Sequence, residues 1–223
     1  VCHGQGAQGR CRQLGESDSG GQGRLSYFTA AQRHDHHGCE VGELDLMAVS
    51  QDPDSVAFLF DLDGTLVDSV YQHVLAWREA TQAAGIELPV WRIHRQIGMS
   101  GGLMLHALWR ETGRPVSKDE AERIQRVHAD AFAKQAPSLR VLPGAQELLN
   151  ALTAAHVPYA IATSGRLQSA QHTLKLLKLP PGTPVVTRDQ VKRAKPDPDL
   201  FLAAAEQLHM PIARCIVVGD SVW

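Results

Sequence analysis

From Val56 onward, short apolar runs alternate with longer stretches in which apolar positions recur every three or four residues. The first pattern marks buried strands and the second amphipathic helices. Val56–Asp61 (VAFLFD) reads as a buried strand. Asp68 to Ala84 reads as a helix, with Val70, Val74 and Trp77 on one stripe and Gly85 as its stop. A second helix is predicted over Gly102–Glu111, halted by Gly113 and Pro115, and a third over Ser117–Gln135, whose Ser117-Lys118-Asp119-Glu120 opening is a capping box. Pro143 opens a further helix to Ala155, at a position where a missing N–H costs nothing. Strands follow at Val157–Thr163, Val185–Thr187 and Cys215–Gly219, with helices at Arg166–Leu177 and Asp197–His209 between them.

This alternation predicts an α/β fold, a doubly wound parallel sheet of Rossmann-like type. The helical run between the first two strands, roughly 69–140, is too long for a simple crossover and reads as an inserted cap. The expected domains are a core of residues 55–68 and 141–223 with a helical cap over 69–140. Residues 1–50 differ from the rest. They are rich in Gly, Gln, Ser, Arg and His, lack periodicity, and carry too little apolar surface to offset their ordering entropy. A disordered or non-native extension is expected there, with Met47 as a candidate initiator. At the other end the sequence stops at Trp223, shortly after the last strand. A C-terminally truncated core is expected, with that strand left as an exposed apolar edge and lowered stability.

Composition narrows the function classes only slightly. The chain has 223 residues, 43% hydrophobic and 21% charged, with a formal net charge of −2, which gives no global attraction to nucleic acid or an anionic membrane. No apolar run approaches the roughly 18 residues that span a bilayer. A cytoplasmic protein without nucleic-acid or membrane partners is expected; oligomeric state is not encoded in any pattern. Cys2, Cys11 and Cys39 precede the patterned region and Cys215 is alone within it, which argues against a disulfide framework. The run His34-Asp35-His36-His37-Gly38-Cys39 matches none of the paired zinc-ligand spacings.

The chemistry lies at the predicted strand ends, where open parallel sheets bind ligands. The first strand delivers Asp61-Leu62-Asp63-Gly64-Thr65, the second Thr163-Ser164-Gly165, and the last Gly219-Asp220-Ser221; Lys195-Pro196 follows the third. Period-two geometry puts Asp61 and Asp63 on one side. Carboxylates suit a hard cation such as Mg²⁺, and hydroxyls, amides and an ammonium suit a phosphate. The carboxylate at Asp63 is expected to hold a proton, helped by its charged neighbour. The loop 94–102, with Arg95 and several glycines, is a candidate substrate-facing segment.

These motifs, in this order, resemble the haloacid dehalogenase superfamily, and within it the beta-phosphoglucomutase-like and phosphoglycolate phosphatase-like branch with a helical cap. The resemblance covers about 55–223. It implies a Mg²⁺-dependent phosphohydrolase acting on a small phosphate ester, such as a sugar phosphate or phosphoglycolate, through an aspartyl-phosphate. By the same resemblance Asp61 is the nucleophile, and Asp63 is the general acid/base whose carbonyl touches the metal. Thr163, Ser164 and Gly165 hold the phosphoryl group, Lys195 balances charge, and Asp220 is a metal ligand with Asp61 and Asp63. A sugar phosphomutase uses the same chemistry and stands as the nearest alternative, beside an inactive or non-catalytic fragment. A dehalogenase would not need Asp63. A calcium loop starting at Asp61 would need Gly and Glu where Leu66 and Gln72 stand.

Overall fold

The computed structural model describes residues 55–221. The expected N-terminal extension, Met47, the His34–Cys39 run, three of the four cysteines and the chain end at Trp223 lie outside the described residues. Strand β1 (Ala57–Phe60) is followed by a two-residue strand β2 (Val67–Asp68) and four helices, α1 (Val70–Ala83), α2 (Val90–His94), α3 (Gly101–Thr112) and α4 (Lys118–Gln135). The chain then runs through β3 (Arg140–Val141), α5 (Ala145–Ala154), β4 (Tyr159–Ala162), α6 (Leu167–Leu174), β5 (Val185–Val186), α7 (Asp199–Gln207) and β6 (Cys215–Val218).

The main sheet has the order β5-β4-β1-β6 and is parallel throughout. Residues 57–60 of β1 pair with 215–218 of β6 on one side, and 58–60 pair with 159–161 of β4 on the other. The chain therefore builds outward from β1 to β5 and returns to β1's free side. That reversal puts the topological switch point at β1, where ligand crevices form beyond the carboxyl ends of strands. β6 pairs with β1 alone among the described residues, and its Ile216 and Val217 are exposed.

Alternation along β1 feeds two cores. Phe60 joins Leu149, Tyr159 and Ile161 under α5 and α6, while Leu59 faces Val186, Leu200 and Ala204 under α7. A third cluster lies within the helical segment, where Val74 and Trp77 of α1 meet Ile93, Met104 and Ile124. Phe60 is fully buried and meets Tyr159 edge-on at 6.3 Å, so Phe60→Ala is expected to cost about 3–5 kcal/mol. No helix of the described residues is long and apolar enough to cross a membrane.

Several element ends differ from the sequence reading, each for a local reason. Asp68 does not begin α1. It pairs across to Arg140 in the small antiparallel β2–β3 ladder, and Ser69 takes the N-cap position. This ladder is invisible as a pattern because each strand is two residues long. It ties together the two points where the helical segment leaves and rejoins the sheet. Pro143 likewise lies outside its helix: Ala145 N–H bonds back to Leu142 O at 3.1 Å, and the intervening turn puts Gly144 at φ +83° as the cap. The capping box on α4 is half made. Ser117 accepts the Glu120 N–H at 3.2 Å, but the Glu120 carboxylate turns instead to Arg114 at 2.8 Å.

Candidate active site

The β1 backbone continues past its last pair through Asp61 N–H to Val218 O at 2.8 Å, so Asp61 stands at the sheet's carboxyl edge between β4 and β6. Leu62 is fully buried on the opposite side, and its N–H donates to Asp61 Oδ1 at 2.8 Å. Gly64 then reverses the chain, its N–H bonded to Val67 O at 2.8 Å. Only glycine fits there: φ is +83°, and an added Cβ would come within 2.2 Å of Asp220 Oδ2. Asp220 from the end of β6 is thus brought against the β1 turn, while Gly219 leaves Asp61 room on its other side.

Lys195 arrives from the segment between β5 and α7. It is buried to 3% exposure, and its Nζ is in direct contact with Asp61 Oδ2. Burial pushes the Asp61 carboxyl up to about 6; the Lys195 charge and hydrogen bond oppose that shift, and the nearby Asp63 charge adds to it.

Asp63 sits in different surroundings. Its Oδ1 accepts from Ser69 Oγ at 2.6 Å and lies 3.4 Å from His73 Nε2 and 3.5 Å from Thr173 Oγ1. Its Oδ2 accepts from Thr163 Oγ1 at 3.4 Å. Burial raises this carboxyl as well. The His73 charge and hydrogen bond, the Ser69 hydroxyl and Lys195 outweigh it, and Asp63 ends below its ordinary value. The expected proton-holding tendency is therefore reversed: Asp61 is the carboxyl pushed upward and Asp63 the one held ionised. Burial raises both carboxyls; they differ because Asp63 meets, besides Lys195, the hydroxyl of Ser69 at the α1 N-cap and the imidazole of His73 within α1, which Asp61 lacks.

Thr163 is fully buried at the end of β4, where its Oγ1 accepts the Gly165 N–H at 3.0 Å. Ser164 and Gly165 line a pocket of about 570 Å³ together with Asp61, Asp63 and Lys195, a size suited to a small metabolite. The Ser164 Oγ is buried without a hydrogen-bond partner. The facing wall comes from the segment 96–104 and from Glu122, Gln125 and Arg126 of α4.

Arg95 is the one sequence-predicted site residue that the structure places elsewhere. It lies in a separate surface groove with Trp91, Arg92 and Glu111. The reason is helical: Arg95 closes α2 and so shares a face with the residues three and four before it, while Gln96, Ile97 and Gly98 turn to the large pocket. Four side chains around Asp63 were not read from the sequence: Ser69, His73, Thr173 and, behind His73, His128. A usable signal existed for His73, a polar residue one turn ahead of Trp77 on a helix leaving the aspartate motif. Among the described residues no three His, Cys, Asp or Glu side chains cluster closely enough to hold a metal by themselves.

A family model described as haloacid dehalogenase-like hydrolase matches residues 56–223. The chain belongs to the haloacid dehalogenase-like hydrolases. It is 35% identical to the hexitol phosphatase A of Escherichia coli over 166 residues, 74% of each chain. It is 27% identical to the beta-phosphoglucomutase of Bacillus subtilis over 171 residues, 74% of this chain and 75% of that one. Among solved structures, a hydrolase from Pseudomonas syringae superposes with a TM-score of 0.74 at 52% identity, covering 76% of this chain and 78% of the other. Within this hydrolase family the aspartate-rich strand ends and the parallel sheet now have a shared context.

Proposed function

We propose that this hydrolase removes phosphate from a small phosphorylated carbohydrate, with Asp61 as the covalent nucleophile and Mg²⁺ as cofactor. The observation that carries the reading is the pairing of buried Lys195 with Asp61 at the switch point, two residues from an Asp63 held by Ser69 and His73, with Lys195, Asp61 and Asp63 all lining the same pocket. Helices α1–α4 act as the cap and the β5-β4-β1-β6 sheet with its helices as the core, with the chain crossing between them near the β2–β3 ladder.

The chemistry of the donor set fits Mg²⁺: Asp61 and Asp220, from adjacent strand ends, would hold it through carboxylate oxygens together with the Asp63 carbonyl, for a cation that commonly takes only one or two carboxylates. When bound, the cation supplies charge neutralisation at the phosphoryl oxygens. The Asp61 carboxylate attacks phosphorus, and the ester P–O bond breaks with its electron pair on the departing alcohol oxygen. That oxygen takes a proton from Asp63. An approaching phosphate dianion disfavours ionisation of Asp63, and so loads it with this proton despite its low starting point. In the second half Asp63 takes a proton from water as the water attacks phosphorus, and Asp61 is released as carboxylate. The Thr163 hydroxyl and Ser164 amide hold the phosphoryl oxygens, and the partnerless Ser164 hydroxyl supports that assignment. Lys195 keeps Asp61 and the phosphoryl group from repelling each other.

The names of the relatives point to hexitol phosphates and hexose phosphates as the first substrates to try. Phosphate release from such a panel with Mg²⁺, abolished in Asp61→Asn and by a chelator, is the expected result. Interconversion of sugar phosphate isomers without phosphate release would make it a mutase. Release that persists in Asp61→Asn would overturn the mechanism.

A further inference from the structure

Away from the reacting carboxylates, Lys195 and the histidines, the charged side chains lining the large pocket are Glu122 and Arg126 on one wall and Arg166 and Arg188 on the other. Three of these have a charge to answer them. Glu122 and Arg126 stand one turn apart on α4, so opposite charges share that face. Arg166 lies 3.2 Å from Asp189 Oδ1, and Asp189 Oδ2 also accepts the Leu167 N–H at 2.8 Å. Arg188 has no carboxylate partner among the described residues; its side chain donates from Nη1 to Val191 O at 2.7 Å. That carbonyl holds the guanidinium in place while leaving its charge and most of its N–H donors unmatched. The backbone is fixed as well. Arg188 N–H donates to Gly165 O at 3.0 Å, and Thr187 and Gln190 form a capping box around the turn that Arg188 begins. Arg188 is half-buried, which strengthens its attraction for an anion relative to a cation in open water.

We propose that Arg188 is a specificity-determining residue that takes the carboxylate of a phosphorylated sugar acid whose phosphate end lies at Asp61. Sheet order sets the spacing. Asp61, Thr163 and Arg188 follow β1, β4 and β5, which are successive neighbours. Two strand spacings of about 4.8 Å put the Arg188 backbone about 10 Å from Asp61 along the carboxyl edge of the sheet. The phosphoryl group occupies the near end of that line, against Asp61 and the Thr163–Gly165 loop, and the second anion the far end. A six-carbon chain covers that span, and the two-carbon chain of phosphoglycolate does not. The planar guanidinium pairs with a carboxylate through two parallel N–H···O bonds. On the facing wall Glu122 and Gln125 offer acceptors to the hydroxyls between the two ends. A neutral hexitol phosphate fits the same pocket but leaves the Arg188 charge unanswered.

The proposal rests on this pocket being the phosphohydrolase site, and binding measured without turnover separates the two. Titration calorimetry of the full chain carrying Asp61→Asn, with Mg²⁺ present, compares 6-phosphogluconate with glucitol 6-phosphate, the same chain with an alcohol in place of the carboxylate. The acid should bind about tenfold or more tightly, as a charge-assisted bidentate pair requires. Adding Arg188→Gln should bring the ratio of the two affinities close to one, and Arg188→Lys, which keeps the charge without the fork, should fall between. Because each variant is read as a ratio, a general loss of folded protein cancels. Equal affinity for the two ligands before Arg188 is changed, or an unchanged ratio in Arg188→Gln, overturns the proposal. Fructose 1,6-bisphosphate binding more tightly than 6-phosphogluconate overturns the carboxylate assignment, and phosphoglycolate binding as tightly overturns the span. A preference that holds while the unsubstituted chain releases no phosphate from either ligand would overturn the phosphohydrolase reading and leave the Arg188 site standing.

Discussion

Gly64→Ala separates the cost of a turn from the cost of crowding the site. Gly64 has φ +83°, and an L-residue there carries about 1–2 kcal/mol of backbone strain. Gly85 provides the control: its φ is +67°, yet an added Cβ meets nothing within 4 Å, so Gly85→Ala should show strain alone. At Gly64 the same Cβ would lie 2.2 Å from Asp220 Oδ2, 2.6 Å from its Cγ and 2.7 Å from Val70 Cγ2, against ordinary carbon contacts of about 3.5–4.0 Å. Asp220 is exposed and can swing away, whereas Val70 opens α1 and is tied to it. Overpacking of this kind adds about 1–3 kcal/mol, and each kcal/mol lowers the melting temperature of a domain this size by about 2–4 °C. Gly64→Ala should therefore melt several degrees below Gly85→Ala by scanning fluorimetry. Because Asp220 must move, the Mg²⁺ concentration needed for half-maximal hydrolysis of p-nitrophenyl phosphate should rise about tenfold or more, about 1.4 kcal/mol of lost binding. Equal melting temperatures with an unchanged Mg²⁺ dependence would refute the placement of Asp220 against the β1 turn.

Lys195→Met leaves the Asp61 charge buried without its partner, and removing one member of a buried pair costs about 3–5 kcal/mol; activity at pH 7 should fall by about a hundredfold or more, and the acid limb of the pH–rate profile should move upward. The raised Asp61 pKa makes a stability prediction of definite sign. The stabilising contribution of protonated Asp61 is fully present below its ordinary value of 3.8 and is lost as pH rises through about 6. Urea unfolding in EDTA should show Asp61→Asn gaining on wild type, by an amount on the order of 3 kcal/mol between about pH 4 and pH 7, and a pH-independent difference would contradict the assignment. Arg95→Ala should leave kcat/KM within about twofold, because Arg95 lies in the Trp91–Glu111 groove and not in the large pocket; a loss confined to KM for sugar phosphates would return it to the substrate.

Much of the sheet, and of the placement of polar residues at its strand ends, was readable in the sequence because both follow from short-range rules. The apolar run before Asp61, the alternation of Leu59 and Phe60 between two cores, and the polar residues closing β4 and β6 each sit where strand periodicity puts them. What escaped depends on distant partners. His73 and His128 are 55 residues apart, and nothing local to either announces that their rings meet. Thr173 reaches Asp63 across 110 residues. The β2–β3 ladder joins Asp68 to Arg140, too short for any period. Arg95 failed for the opposite reason. A cation beside a glycine-rich loop looks like a ligand group, but the turn of α2 decides which side of the loop it faces. The charge states of Asp61 and Asp63 were reversed because the sequence shows their proximity to each other and hides the stronger effects of Lys195, Ser69 and His73.

The covalent role of Asp61 is the centre of the account, and borohydride trapping tests it most directly. The full chain is mixed with Mg²⁺ and acetyl phosphate, quenched, and reduced, which converts an acyl phosphate to the alcohol. Peptide mass spectrometry should find homoserine in place of aspartate at position 61, dependent on both acetyl phosphate and Mg²⁺, with Asp63 unmodified. Reduction at Asp63, at a serine or threonine neighbour, or nowhere at all while phosphate is being released would contradict it.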